Sequence, residues 1–183
     1  MSFTFTSTPL NGVVIIESRV FTDSRGYFME SFKLSDYRKA GIEFNFLQDN
    51  HSFSRTGVIR GLHYQKAPME QGKLVSVISG KIFDVAVDLR LNSATFSRWF
   101  GTVLSEKNRT MLWIPPGFAH GFQALEDSHV YYKATNEFSP KDDAGVRWND
   151  PAIAIKWPLD NPVISEKDSG LPLLADIPEL RGD

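Results

Sequence analysis

Two segments of the chain, Gly57-Val-Ile-Arg60-Gly61-Leu-His63-Tyr-Gln65 and Ile114-Pro-Pro-Gly117-Phe-Ala-His120-Gly-Phe122, set histidines beside glycines within apolar, strand-like sequence. They read as paired β-hairpins of a small barrel. In metal-binding barrels of that kind, the first segment supplies two histidines and a carboxylate, and the second supplies one more histidine. Here the second histidine position holds Gln65, and the carboxylate position, six intervening residues before Gly80, holds Lys73. A protonated lysine has only donors and cannot ligate a metal. The swap moves the expected chemistry from metal-assisted to acid–base, and no metal site is expected.

A lone histidine in a β protein is more often structural than catalytic, and His63 by itself would be read that way. Its neighbours change the weighing. Arg60, Gln65, Lys73 and His120 all stand in or beside strands whose other members are apolar. Burying so many hydrogen-bonding groups is costly unless they are paired or face a wet cavity. Several polar groups converging at a barrel mouth describe a ligand site. In Phe46-Leu-Gln48-Asp49-Asn50-His-Ser-Phe-Ser54, alternation puts Gln48 and Asn50 on one face and Leu47 and Phe53 on the other. That polar face suits solvent and ligand about equally. Alternation also sends Arg60 and His63 to opposite faces, so both line one cavity only if Gly61 is a bulge or bend, a position that favours glycine. Val130, Tyr132 and Ala134 share a face, and a buried tyrosine there is ordinarily core unless it points at His63 across a substrate. Ser165-Glu166-Lys167-Asp168 reads by default as surface charge, and His51 and His129 as surface residues.

The elements that must carry these groups are strands. Gly12–Phe21, Lys73–Ser79, Lys81–Arg90, Arg98–Leu104, Arg109–Ile114 and Ser128–Thr135 are β-branched, aromatic or alternating, with Gly80-Lys81 as a hairpin turn. Lys81–Arg90 places Phe83, Val85, Val87 and Leu89 on one face and Asp84, Ala86 and Asp88 on the other. About ten short strands separated by Gly, Pro, Asn and Asp clusters predict an all-β, antiparallel sandwich or jelly roll with few helices. Leu34–Gly41 is the best helix, with Ser35 as cap and Gly41 as stop. The polar stretch from Ser139 to Asp150 reads as loop. Prolines at 151, 158, 162, 172 and 178 argue against strands near the end, so the tail from about residue 158 to 183 is expected to wrap the barrel.

At 183 residues the chain fits one domain, 1–183, with a core of useful size. A formal charge of −2 gives no field for nucleic acid, although a local Arg/Lys cluster can hold a small anion. The absence of cysteine excludes disulfides, thiolate metal sites and cysteine nucleophiles, and fits a reducing cytosol. The first ten residues lack a basic leader and an unbroken apolar core, no apolar run reaches membrane-spanning length, and the expectation is a cytoplasmic protein. Gly-rich nucleotide motifs are missing, so any nucleotide is held some other way.

Seven co-linear motifs then identify a resemblance covering nearly the whole chain. Phe21-Thr-Asp-Ser-Arg25-Gly-Tyr-Phe-Met-Glu30, Gln48-Asp-Asn-His, Arg60-Gly-Leu-His63, Gln71-Gly-Lys73-Leu-Val, Ile114-Pro-Pro-Gly-Phe-Ala-His120-Gly-Phe, Tyr132-Lys-Ala-Thr-Asn and Ser165-Glu-Lys-Asp168 resemble the dTDP-4-dehydrorhamnose 3,5-epimerases. The resemblance implies a cupin-type jelly roll and a homodimer that needs no metal or redox cofactor. It also implies a dTDP-linked 4-keto-6-deoxy sugar as substrate, within the supply of activated rhamnose for surface polysaccharide. On that resemblance His63 is the base, Asp168 the acid that orients it, Lys73 the cation beside the C4 oxygen and Tyr132 the proton donor on the opposite face. Arg25, Arg60 and Lys167 match positions that hold the diphosphate or sugar. Glu30, Gln48, Asp49, Asn50, His120 and Asp143 match further contact positions. Two departures stand out. Glu137-Phe138 replaces a Tyr-Tyr pair, one ring of which would stack on the base, and Asp143 replaces a longer acid.

Three rivals follow from the same residues. An epimerase acting at only C3 or only C5 would use the same base. A metal-dependent cupin would draw on His63, His120 and Glu70, against a poor ligand in Gln65 and a repelling Lys73. A binding module would need the pocket but not the acid–base set.

Overall fold

The structure, a computed structural model, describes residues 2–180; the last three residues of the expected tail lie outside that range. Thirteen strands dominate. They are β1 (Phe3–Ser7), β2 (Val14–Ser18), β3 (Val20–Asp23), β4 (Gly26–Met29), β5 (Gln48–Ser54), β6 (Ile59–Gln65), β7 (Lys73–Ser79), β8 (Lys81–Asp88), β9 (Trp99–Ser105), β10 (Thr110–Ile114), β11 (Phe118–Ala124), β12 (Ser128–Ala134) and β13 (Asp143–Gly145). Helices are short: α1 (Leu34–Lys39), α2 (Glu166–Ser169) and two single 3₁₀ turns in the tail.

Two antiparallel sheets face each other, ordered β1-β2-β10-β7-β12-β5 and β13-β6-β11-β8-β9, with β3-β4 a separate hairpin. This is the expected jelly roll. Between the sheets lie Val75, Val77, Ile82, Ala86, Leu104, Leu112, Ile114, Phe118, Phe122 and Val130. Strand β8 is apolar on its other face too. Val85, Val87 and Leu89 pack with Leu62, Ala119 and Val146 under Ile153 and the tail residues Leu174 and Ile177. Much of the outer face of the second sheet is thus covered by these residues of the C-terminal region. On the outer face of the first sheet, α1 seats Tyr37 among Phe3, Phe5 and Phe32 at ring-centroid distances of 5.2, 5.4 and 4.8 Å.

Several local expectations need correction. Gly80 is no hairpin turn: β7 and β8 belong to different sheets, and the chain turns a corner at a φ of +85°. A Cβ there would meet the Asp127 carbonyl oxygen at 2.2 Å, so the corner requires glycine. The two histidine segments are neighbouring strands of one sheet, β6 and β11, rather than hairpins. Gly12–Phe21 breaks near Arg19 into two strands, and part of the Ser139–Asp150 stretch is a short strand on the β6 edge. Helix α1 starts after Lys33 with no side-chain cap, so Ser35 does not cap it; Gly41, at a φ of +82°, follows its end.

Candidate functional site

Strand β6 carries the centre of the site, and two glycines shape it. Gly61, at a φ of +129°, faces Gly121 on β11 so closely that a Cβ on Gly61 would lie 2.6 Å from the Gly121 Cα. Pairing along β6 and β11 slips by one residue here: His120 pairs with His63 and Phe122 with Arg60, two steps on one strand against three on the other. That is the bulge alternation required, and it turns Arg60 and His63 toward one cleft. The cleft holds about 280 Å³ and is bounded by Asn50, Arg60, His63, Lys73, His120 and Tyr132, with His51, Ser52 and Phe122.

Inside it two imidazoles stand on adjacent strands, each backed by a carboxylate. His63 Nε2 lies 2.8 Å from Asp168 Oδ1, and the other oxygen of Asp168 accepts the Gly61 N–H at 3.1 Å. An ionised carboxylate only accepts, so Nε2 carries the His63 proton and Nδ1 is the basic nitrogen. Asp168 is 4% exposed. Burial works against its charge, yet the imidazole, the Gly61 N–H and Lys167 together outweigh it and hold the carboxyl below its usual range. Ser165 caps α2 by accepting the Asp168 N–H, which fixes the acid in the first turn of that helix. The Ser165–Asp168 run is therefore not plain surface charge.

The second pair is His120 Nε2 to Asp84 Oδ1 at 2.8 Å, both buried. Burial lowers the pKa of His120, with Asp84 opposing and Lys73 and His63 adding to the shift, so the ring is neutral near pH 7. The second oxygen of Asp84 is buried without a hydrogen-bond partner among the described residues. Lys73 is buried as well, its Nζ 5.8 Å from the centre of the Tyr132 ring. Burial brings its pKa down to about 8, against the pull of Asp84 and Asp143. Tyr132 is shifted upward by burial, with Arg60 opposing, so its phenol keeps its proton.

Other expected contact residues divide. Asn50 lines the cleft and accepts from Gln48 Nε2 at 2.8 Å. Arg60 spends two donors on Ser54 Oγ and the Phe53 carbonyl, which leaves the rest of its guanidinium for a ligand. Lys167 and Asp143 pair with each other at 2.5 Å on the α2 and β13 side. Asp49 does not join them: alternation along β5 turns it to the outer face, where it binds Lys133 at 2.8 Å. Arg25 is paired with Asp23 on the β3-β4 hairpin, beside a different hollow, and Glu30 follows the same hairpin. Glu70 borders a third hollow with Phe44 and Pro115, so it does not meet the two histidines. Gln65 faces away from chemistry, its amide spent on backbone groups of residues 69, 137 and 139.

The sequence reading missed Asp84 behind His120 and three residues that line the cleft, His51, Ser52 and Phe122. Asp84 was assigned only a face of its strand; the usable signal was an acid within a strand apolar on both sides, since a buried carboxylate needs a partner. His51 sits at the rim with its Nε2 3.0 Å from His129 Nδ1, a pairing across strands that no local pattern reveals. Phe122 lies two residues beyond His120 on β11, whose pairing with β8 is unbroken, so ordinary alternation puts both on the cleft side.

A family model described as dTDP-4-dehydrorhamnose 3,5-epimerase matches residues 7–176. The chain is 53% identical over 170 residues to the dTDP-4-dehydrorhamnose 3,5-epimerase of Methanothermobacter thermautotrophicus, with 91% of each chain covered. It superposes with a TM-score of 0.92 and 45% identity on dTDP-6-deoxy-D-glucose-3,5-epimerase from Legionella pneumophila, solved in complex with dTDP-4-keto-L-rhamnose, over 96% of this chain and 94% of that one. The Bacillus anthracis dTDP-4-dehydrorhamnose 3,5-epimerase, solved with TDP and PPi bound, gives a TM-score of 0.92 at 44% identity, covering 94% and 99%. With fold, matched span and identity in agreement, this chain belongs to the dTDP-4-dehydrorhamnose 3,5-epimerase family.

Proposed function

We propose that the chain is an isomerase that inverts C3 and C5 of dTDP-4-dehydro-6-deoxy-D-glucose to give dTDP-4-dehydro-L-rhamnose, a step in dTDP-rhamnose formation. The observation that carries the reading is the His63–Asp168 pair facing a cleft that also contains the buried Lys73 ammonium and the Tyr132 phenol. Hydrogens on C3 and C5 are acidic because both carbons flank the C4 ketone. His63 Nδ1 takes the proton from one face, and the C–H electron pair moves into an enolate whose charge rests on the C4 oxygen. Asp168 supports the imidazolium that forms. Lys73 faces the oxyanion from a buried position, where a fixed charge acts more strongly than in water. Tyr132 returns a proton to the carbon from the other side, which inverts it. His63 then releases the proton it took to solvent and Tyr132 regains one from solvent, so both are reset for the second carbon. A histidine base suits this work because one ring nitrogen can accept a proton while the other is held by a partner.

Arg60 is placed for the diphosphate, its free guanidinium donors suiting phosphate oxygens. A homodimer is part of the proposal, supported by the β3-β4 hairpin, which leaves Phe21, Tyr27 and Phe28 exposed around Arg25. So is a cytoplasmic setting, with which the lack of cysteine agrees. No helix among the described residues is long and apolar enough to cross a membrane.

The test is turnover in D₂O with proton NMR of the product. Both C3 and C5 should acquire solvent deuterium with inverted configuration. Label at a single carbon would reduce the activity to a one-centre epimerisation, and no label would remove it.

A further inference from the structure

Gln65 is the residue that replaces a histidine at the old metal-ligand position, and the mechanism leaves it idle. It is 5% exposed, and three of its four hydrogen-bonding positions are filled. Its Nε2 donates to the Met69 carbonyl at 2.6 Å and to the Glu137 carbonyl at 3.2 Å, while its Oε1 accepts the Ser139 N–H at 2.7 Å. Two more amides hold the same loop from other parts of the chain. Gln71 donates to the Asn136 carbonyl at 2.8 Å, and Gln48 accepts the Phe138 N–H at 2.7 Å. Backbone groups of four consecutive residues, 136 to 139, are thus fixed by glutamine side chains.

The loop so fixed carries Phe138, whose side chain gains little from the fold: the residue is 52% exposed. A rigid backbone under an open ring gives no packing advantage, but it does give a ligand a preformed apolar face, with the ordering cost met in advance. The loop is tied to the cleft through its backbone: Gln48 accepts the Phe138 N–H and donates to Asn50, which lines the cleft. We propose that Gln65 is a positioning residue for substrate recognition, holding residues 136–139 so that Phe138 presents its ring to the planar base of the nucleotide. The inference rests on the epimerase reading for the identity of the ligand. The position that would ligate a metal in a metal-binding barrel now anchors the loop that reads the base.

The test compares two probes, dTDP and inorganic pyrophosphate, by calorimetry on the full chain, together with steady-state kinetics. Gln65→Met keeps the volume and removes all three hydrogen bonds. It should weaken dTDP by about five- to tenfold, the scale of one or two buried hydrogen bonds. Pyrophosphate, which has no base, should bind unchanged, and KM should rise with kcat within about twofold, the pattern of lost uniform binding. Phe138→Ala should weaken dTDP similarly, and the double variant should be no worse than Phe138→Ala alone, because both changes remove the same contact. Should Gln65→Met fail to fold, Gln65→Glu, which keeps the acceptor for Ser139, takes its place with the same expectations. Unchanged dTDP affinity in the variant overturns the inference, as does parallel loss of dTDP, pyrophosphate and kcat. A wild-type protein that binds no dTDP and turns over no 4-keto sugar overturns the epimerase reading instead, whatever Gln65 does.

Discussion

His63 and Asp168 stand 105 positions apart in the chain, yet the imidazole has one nitrogen on the acid and the other toward the cleft. Replacing the ring by His63→Ala should abolish turnover while dTDP still binds within a few-fold, because Arg60 and the 136–139 loop are untouched. Asp168→Asn removes the charge that stabilises the imidazolium. It should lower kcat by about 10²- to 10⁴-fold, the range for losing acid–base support, with KM nearly constant. Stopped turnover with intact dTDP affinity supports both roles; full activity in either variant removes that residue from the chemistry. Lys73 makes a pH prediction. Its ammonium must be charged to steady an oxyanion, and burial has brought its pKa down to about 8. The charged form dominates below that value and is lost above it, so kcat/KM should fall as pH rises through about 8. Tyr132 is shifted upward and keeps its proton across the same range, so it does not produce that limb. Asp84 opposes the shift at Lys73, hence Asp84→Asn should move the alkaline limb to lower pH. A limb unmoved by Asp84→Asn, or absent below pH 9, would detach it from Lys73.

At the level of elements, the bulge at Gly61 decides whether the strands can present these groups together. Gly61→Ala would force a Cβ to within 2.6 Å of the Gly121 Cα and 2.9 Å of the His120 carbonyl oxygen, at a φ that side chains rarely adopt. The strain should cost about 2–4 kcal/mol, adding a backbone penalty to an overpacked contact. Activity should drop more than stability implies, since Arg60 and His63 move relative to each other; urea unfolding beside kcat measured well below the transition separates the two effects. This bulge was legible in advance, because alternation put Arg60 and His63 on opposite faces with a glycine between them. Strand positions in Lys73–Ser79, Lys81–Asp88 and Thr110–Ile114 were legible for the same reason: alternation and β-branching are local. What strand pairs with what is not local. Gly80-Lys81 has the chemistry of a hairpin turn, but the apolar residues on both faces of β8 draw it into the other sheet, and the glycine serves a corner. Asp49 shows the same limit from the other side. Its motif placed it with Gln48 and Asn50, while the two-residue period of the strand turns it outward to Lys133. Asp84 was hidden because its strand looks half-exposed until the tail is known to cover the outer face.

On the scale of the whole molecule, Asp168, the acid proposed to support His63, arrives on the part of the chain least able to form regular structure. The tail is proline-rich and among the described residues holds one-turn helices, so its place depends on the apolar contacts of Leu174 and Ile177, beside Ile153, with the outer face of the second sheet. Polar ties supplement them: Asp150 accepts the Leu174 N–H at 2.7 Å, and Arg147 donates from Nε to the Leu171 carbonyl at 2.8 Å. The Gln123 amide exchanges two hydrogen bonds with the Leu159 backbone at 2.9 Å, and Val163 pairs with the backbone of Gly57 and Ile59 at 3.0 Å. Asp168 lies between these anchors and the β6 bulge, so docking the tail and completing the His63 pair are one event. Leu174→Ala, which touches no cleft residue, should therefore act on both. Truncating this buried side chain should cost about 2–4 kcal/mol, less if the tail settles into the space. The loss should fall first on the tail, because local opening needs only these contacts to part, whereas the sheets remain paired through their ladders. In hydrogen exchange, amides of α2 and of the Leu174 turn should lose protection well before those of β8 and β11. In urea, activity should disappear at a lower concentration than strand structure followed by circular dichroism, and that gap should be wider in Leu174→Ala than in the parent chain. Coincident loss of activity and strand signal in both proteins would mean that tail and barrel open as a single unit, and that Asp168 is held by the whole fold rather than by its own local anchor.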